Sequence, residues 1–377
     1  MTNKMNEGFE WLSTDESLKS AVDLWLKEPF IAIDTEFERT ATYYAKAGLI
    51  QIADSQGVYL IDPLIITDLS LLAPVLASRD VVKVLHSMSE DVELLRHVSG
   101  VAPDHVFDTQ IAASFLGYGA SLGYQNLVET TLGYVLDKSE TRSDWLRRPL
   151  SDKQLDYAAK DAEHLVELYH YLNNELVDKD LLGACLEEAQ TVVDQNVEAW
   201  QNPELAYLKL RGGWELSRER QQRLKQMVVW RDTLARTEDV PKSWVFADAV
   251  LIAVAEAGTI DAAGLKRLKG IRYSSVRQYG PALMTLLEEG SDIEEHDFVL
   301  IDGPIKGKEM LVFKTCKKLV AQVAEETGIS VQLLGSRKML ERVILQVMRK
   351  GDVELPRDFQ GWRAALLGQK LMNLIHV

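Results

Sequence analysis

The chain has 377 residues, 46% of them apolar, and a formal net charge of −15. A single hydrophobic core rarely grows past roughly 250–300 residues, so two or three domains are expected. No apolar run approaches the roughly 20 residues of a membrane helix, and the start from Met1 to Glu16 is polar and acidic, with no apolar stretch of the secretory type, which points to a cytoplasmic protein. Cys185 and Cys316 lie far apart and match no zinc or redox spacing, so neither a disulfide nor zinc is expected.

A charge of −15 argues at first against a nucleic-acid partner, because phosphate binding draws on basic surface. The distribution changes that conclusion. Residues 1–200 carry 15 basic against 34 acidic side chains, whereas residues 201–377 carry 27 against 23. A carboxylate-rich half suits metal ions, and a less acidic half with local basic clusters suits a polyanion.

In chain order, Phe30–Asp34, Gly48–Ala53, Val58–Ile61 and Val81–Leu85 read as strands. The first three follow one another through short connections, which favours an antiparallel meander; later strands are separated by helical patterns, which favours parallel additions. A mixed sheet flanked by helices is the predicted result. Leu165–Trp200 reads as one helix, a break falls near Asn202-Pro203, and two further helical stretches are separated by a loop over 288–292. Their similar size suggests two divergent copies of one unit. The predicted domains are residues 1–203, 204–292 and 293–377.

Three short motifs carry chemistry. In Asp34-Thr-Glu36-Phe-Glu38, residues two apart on a strand share a face, so Asp34, Glu36 and Glu38 would project together. Crowded like charges repel, and divalent cations that prefer oxygen ligands would remove that cost; a solvated strand end is the simpler reading of the pair alone. His86-Ser-Met-Ser-Glu90-Asp91 follows a strand and opens a helix, where Ser89 is expected to cap and an acid in the first turn is favoured by the helix dipole. His86 there suits either substrate binding or a structural hydrogen bond. In Tyr157-Ala-Ala-Lys-Asp161 the four-residue spacing puts hydroxyl and carboxylate on one helix face, a turn apart.

Taken in order, Asp34, Glu36, Asp91, Tyr157 and Asp161 resemble the motif residues of the DEDDy family of 3′→5′ exonucleases, within it the ribonuclease D group. Flanking words support the narrower likeness: Tyr43-Tyr44, Gly48-Leu-Ile-Gln51-Ile52, Phe107-Asp-Thr-Gln110 and Asp144-Trp145-Leu-Arg147-Arg-Pro-Leu150. The resemblance implies an RNase H-like α/β domain with a mixed five-stranded sheet. It implies that Asp34, Glu36, Asp91 and Asp161 hold two Mg²⁺ or Mn²⁺ ions and that Tyr157 orients the attacking water, with Gln51 and His86 as candidate substrate-binding residues. Leu224–Leu234, Val240-Pro241, Val245–Asp248, Leu265–Gly270 and Tyr279-Gly280 resemble the HRDC (helicase and RNase D C-terminal) domain, and residues 293–377 would be a second, divergent all-α copy. Ala255–Thr259 lacks a proline common in that pattern, which touches loop detail only.

Residues 304–350 hold ten basic against four acidic side chains, and Lys314, Lys317, Lys318, Arg337, Lys338, Arg349 and Lys350 among them are candidate RNA contacts. The implied partner is RNA, as transfer-RNA precursors with 3′ tails, with no membrane and no obligatory protein partner. The five motif residues do not separate RNA from DNA as substrate. A catalytically silent RNA-binding scaffold is the alternative of another class, set against the presence of all five. No phosphate-cradling GxxxxGK[ST] loop occurs, so a nucleotide-binding protein of that type is disfavoured.

Overall fold

Strand β3, Phe30–Glu38, begins Phe-Ile-Ala-Ile and is buried along that apolar half, because helices or strands cover it on every side. It pairs antiparallel with β4, Lys46–Ala53, and parallel with β6, Val82–Leu85. The structure, a computed structural model, describes residues 5–6, 8–137, 139–289, 298–351 and 354–376. Strand β5, Val58–Ile61, continues the antiparallel meander from β4, and β7, Val106–Asp108, adds parallel to β6. The predicted mixture of a meander and parallel additions is therefore present.

The sheet has seven strands rather than the expected five, in the order β1-β2-β5-β4-β3-β6-β7. The additions are β1, Met5–Asn6, and β2, Phe9–Leu12, which lies parallel to β5. Their shortness hides them from a periodicity argument: β2 offers four residues, with Glu10 among them, and only Leu12 is fully buried. The helix expected over Leu165–Trp200 is two, Asp152–Asp178 and Leu182–Gln201. Between them Asp180 takes φ 57°, a left-handed conformation that ends a right-handed helix.

By contacts the chain forms two compact units, one of Met1–Glu38, Lys46–Asn196 and Ile305–Val377, the other of Arg39–Ala45 and Val197–Pro304. In the first, the long Asp152–Asp178 helix packs on the sheet, burying Ala158, Ala162, Leu165 and Leu168 with Ala32, Leu49 and Leu60. The C-terminal helices, including Lys308–Thr327 and Arg337–Leu345, share this core. Arg363 pairs with Glu188 at 2.6 Å, Trp362 packs at a tilt against Phe115 with ring centroids 4.7 Å apart, and the Ser330 amide donates to the Ser114 carbonyl at 3.0 Å.

The second unit is helical, with Arg218–Thr237, Asp248–Ala257 and Tyr273–Glu288 around Leu224, Met227, Val228, Leu251 and Leu283. Buried Arg231 is matched by Asp232 at 2.8 Å and Asp248 at 2.5 Å, so the guanidinium is not left unpaired. The Asp239 carboxylate accepts the Tyr43 and Tyr44 amides at 3.0 Å each, which makes the β3–β4 connection part of this unit. The loop expected over 288–292 falls from residue 290 outside the described residues, as does the predicted limit at 292/293.

One further element bears on the site. Arg148 binds fully buried Asp62 through two bonds of 2.8 and 2.7 Å and donates to the Gly48 carbonyl at 2.6 Å. Two parallel charge-assisted bonds fix the loop before the Asp152–Asp178 helix against β4 and β5. Any Cβ on Gly48 would lie 2.7 Å from Cβ of Trp145, so glycine is what permits this approach.

Candidate active site

Three elements of the first unit deliver the motif residues. Asp34 and Glu36 leave the same face of β3, toward the Asp152–Asp178 helix, and both are partly buried. Asp91 stands in the first turn of the Ser89–Ser99 helix that follows β6. Asp161, 8% exposed, comes from the long helix with Tyr157 one turn before it. Thr35, between the two β3 acids, donates its hydroxyl to the Asp91 carboxylate and so ties the third acid to the first pair. Glu38 ends the strand exposed, apart from this group.

Their electrostatics show that the four acids feel one another. Burial, then the Asp161 charge, raises Asp34 to about 7. Burial, then Asp34, Asp161 and Asp91, raises Glu36 to about 9. Burial and Asp34 raise Asp91 to about 8 against the Thr35 bond, and burial raises Asp161 to about 6 against the hydrogen bond from Tyr157. Each charged neighbour that shifts Asp34, Glu36 or Asp91 is another carboxylate. Carboxylates crowded and desolvated in this way hold protons until a cation replaces them.

The donor set is all oxygen, which fits a hard divalent cation such as Mg²⁺ or Mn²⁺. Among the described residues no group of three or more His, Cys, Asp or Glu side chains is placed so that it could hold a metal ion as it stands.

Tyr157 is half-buried; burial and then the Asp161 charge push its phenol well above the usual tyrosine value, and its hydroxyl bonds Asp161. Trp145 of the Arg148-held loop lies beside it, ring centroids 6.2 Å apart. Tyr124 donates its hydroxyl to the Asp161 carbonyl, bracing the same turn of helix from the other side.

Residues 9–177 match the family described as 3′-5′ exonuclease, residues 220–287 the HRDC domain, and residues 310–371 the ribonuclease D C-terminal HRDC domain. Ribonuclease D of Pseudomonas paraeruginosa is 33% identical over 367 residues, covering 97% of each chain. Ribonuclease D of Escherichia coli is 35% identical over 378 residues, covering 97% of this chain and 98% of that one. The chain belongs to the ribonuclease D family. Its fold agrees: the crystal structure of Escherichia coli RNase D, described as an exoribonuclease involved in structured RNA processing, superposes with a TM-score of 0.87 at 34% identity, covering 99% of each chain. As a ribonuclease D the chain is a 3′–5′ exoribonuclease, a hydrolase, with an RNase H-like exonuclease fold and helical HRDC domains.

Within this ribonuclease D fold, two expectations change, those for Ser89 and Gln51, and His86 takes one of its two expected readings. Ser89 is the first helical residue, and the N-cap position is Met88, which makes no side-chain cap bond. Gln51 is 0% exposed, so it is not open to substrate. His86 bonds Thr109 through Nδ1 at 2.9 Å and packs edge-on against Tyr124, and burial lowers its pKa, so the structural hydrogen bond is the reading present here.

Asp108 is the residue that motif reading passed over. Its carboxylate accepts the amides of Ser87 at 3.1 Å and Met88 at 3.0 Å, and those of Gln110 at 2.7 Å and Ile111 at 3.3 Å. It thereby holds the turn at Ser87, φ 54°, from which the Asp91 helix starts. The available signal was the Phe107-Asp-Thr-Gln110 word, an acid immediately before a helical pattern.

The four raised carboxylates set a pH dependence for the metal-free protein. An acid that binds its proton more tightly folded than unfolded stabilises the fold below its unfolded pKa, and that stability is lost as pH rises through the folded value. In EDTA, the melting temperature is therefore expected to fall from about pH 4, where these acids begin to ionise in the unfolded chain, up to about pH 9, the highest of the folded values. Asp34→Asn should flatten that fall in a calorimetric pH series, and an equally steep curve for the variant would contradict the assignment.

Proposed function

We propose that this ribonuclease D releases nucleoside 5′-monophosphates one at a time from RNA 3′ ends, with two divalent ions, Mg²⁺ or Mn²⁺, held by Asp34, Glu36, Asp91 and Asp161. The observation that supports it is the cluster of buried carboxylates whose shifting charged neighbours are all carboxylates, one another and Asp108. Ions bound there would supply Lewis acidity, activating water and neutralising the departing 3′-oxygen of an in-line displacement. Tyr157 is not a base in this scheme. Its phenol keeps its proton at neutral pH, so it orients the attacking water and hydrogen-bonds Asp161. Thr35 steadies Asp91, and the Arg148-held loop keeps Trp145 beside Tyr157.

A role in trimming transfer-RNA precursors, residence in the cytoplasm and domain limits at 1–203, 204–292 and 293–377 belong to the same proposal. Buried free thiols at Cys185 and Cys316 accord with a reducing compartment. No helix among the described residues is long and apolar enough to cross a membrane.

We also propose RNA contact by the C-terminal helical domain. Lys314, Lys317 and Lys318 are exposed at i, i+3 and i+4 along the Lys308–Thr327 helix, so they share a face. Lys338 and Lys350 are exposed as well. Arg337 is engaged by Glu341 at 2.7 Å and Arg349 by Glu309 at 2.6 Å, which makes those two weaker candidates for phosphate.

Tyr157→Phe should lower kcat on a 3′-labelled single-stranded RNA by about 100-fold or more while leaving Mn²⁺ affinity near wild type. Asp34→Asn should lose both. Near-normal turnover by Tyr157→Phe would reject the positioning role. For the basic face, a triple Lys314→Gln, Lys317→Gln, Lys318→Gln variant should make the slope of log K against log salt shallower by about two for single-stranded RNA. An unchanged slope would remove those lysines from the interface.

A further inference from the structure

Gln51 stands on β4 directly opposite Asp34 of β3. Residues facing one another across antiparallel strands share a sheet face, so the Gln51 side chain lies beside that of Asp34, toward the helix that carries Tyr157 and Asp161. Leu49 and Ala53, two positions to either side on β4, take the same face and belong to the hydrophobic core. Between them Gln51 is 0% exposed, and neither its amide oxygen nor its amide nitrogen has a hydrogen-bond partner among the described residues.

Such an arrangement is costly. Buried amides are almost always paired, and an apolar side chain of the same volume would fill this place without loss. The leucine and alanine neighbours offer the amide nothing, whereas the carboxyl directly across the strand pair is Asp34. Orphaned polar groups of this kind concentrate where a ligand or ion completes the bonding. We infer that Gln51 is a positioning residue of the metal site: its buried amide donates to the Asp34 carboxylate when that carboxylate holds a divalent ion, fixing its orientation. The inference rests on the metal-binding reading above. It moves Gln51 from substrate contact, which its burial disallows, to support of a ligand, the kind of outer contact that commonly governs metal affinity.

Gln51→Met keeps the length and most of the volume and removes both polar atoms. Two quantities are measured on the full chain: Mn²⁺ affinity from the electron paramagnetic resonance of free Mn²⁺, and the melting temperature in EDTA. The expected result is a melting temperature equal to or above wild type together with Mn²⁺ affinity weaker by 10-fold or more. Gln51→Leu, with a different shape and the same loss of polarity, should behave alike and guards against a packing defect in either variant. Wild-type Mn²⁺ affinity in both folded variants would overturn the positioning role while leaving the metal site intact. Failure of the wild-type protein itself to bind Mn²⁺ would overturn the metal reading, and this inference with it.

Discussion

The repulsion among four carboxylates is the constraint on which the rest of the first unit depends. Asp34, Glu36, Asp91 and Asp161 are desolvated together, and the charges that shift the first three are those of other acids. Left alone, such a group favours either protonation or separation. The fold must therefore hold the elements that carry the acids more firmly than the acids push them apart.

It does so through neutral and oppositely polarised contacts rather than through cations at the cluster. β3 is locked between β4 and β6 along its buried half. The long helix is seated by Ala158, Ala162, Leu165 and Leu168, which are small or apolar enough for close packing on the sheet. Asp108 gathers four backbone amides to fix the start of the Asp91 helix, and Arg148 ties the loop before Tyr157 to buried Asp62. Each of these charged groups is matched where it sits, whereas both polar atoms of the buried Gln51 amide beside Asp34 lack a partner among the described residues.

Much of this was legible in the sequence, for physical reasons. The run Phe-Ile-Ala-Ile before Asp34 and the helical spacing of Tyr157 and Asp161 are local patterns, so the strand and the helix face could be read directly. The resemblance to a known family then tied together residues that no local rule connects. What escaped was set by tertiary contacts. β2 and β7 are too short to show a period, and the break at Asp180 depends on one left-handed residue in an otherwise helical run. Gln51 looked like a polar residue available to substrate because nothing in Gly-Leu-Ile-Gln-Ile says that a helix will cover it. Likewise, the last helical stretch reads as separate along the chain, yet Val320, Leu340 and Leu371 join the core that also contains Ala32 and Leu165.

On the metal-binding reading proposed above, divalent ions displace protons from the crowded acids. Calorimetry of Mn²⁺ binding at pH 7, repeated in buffers of different ionisation enthalpy, counts the protons released per ion. Release of about one proton or more per ion is the expected result, because two of the four acids have values of about 8 and 9 and must ionise to serve as ligands. Binding with no proton release, or with equal heats in every buffer, would contradict the account.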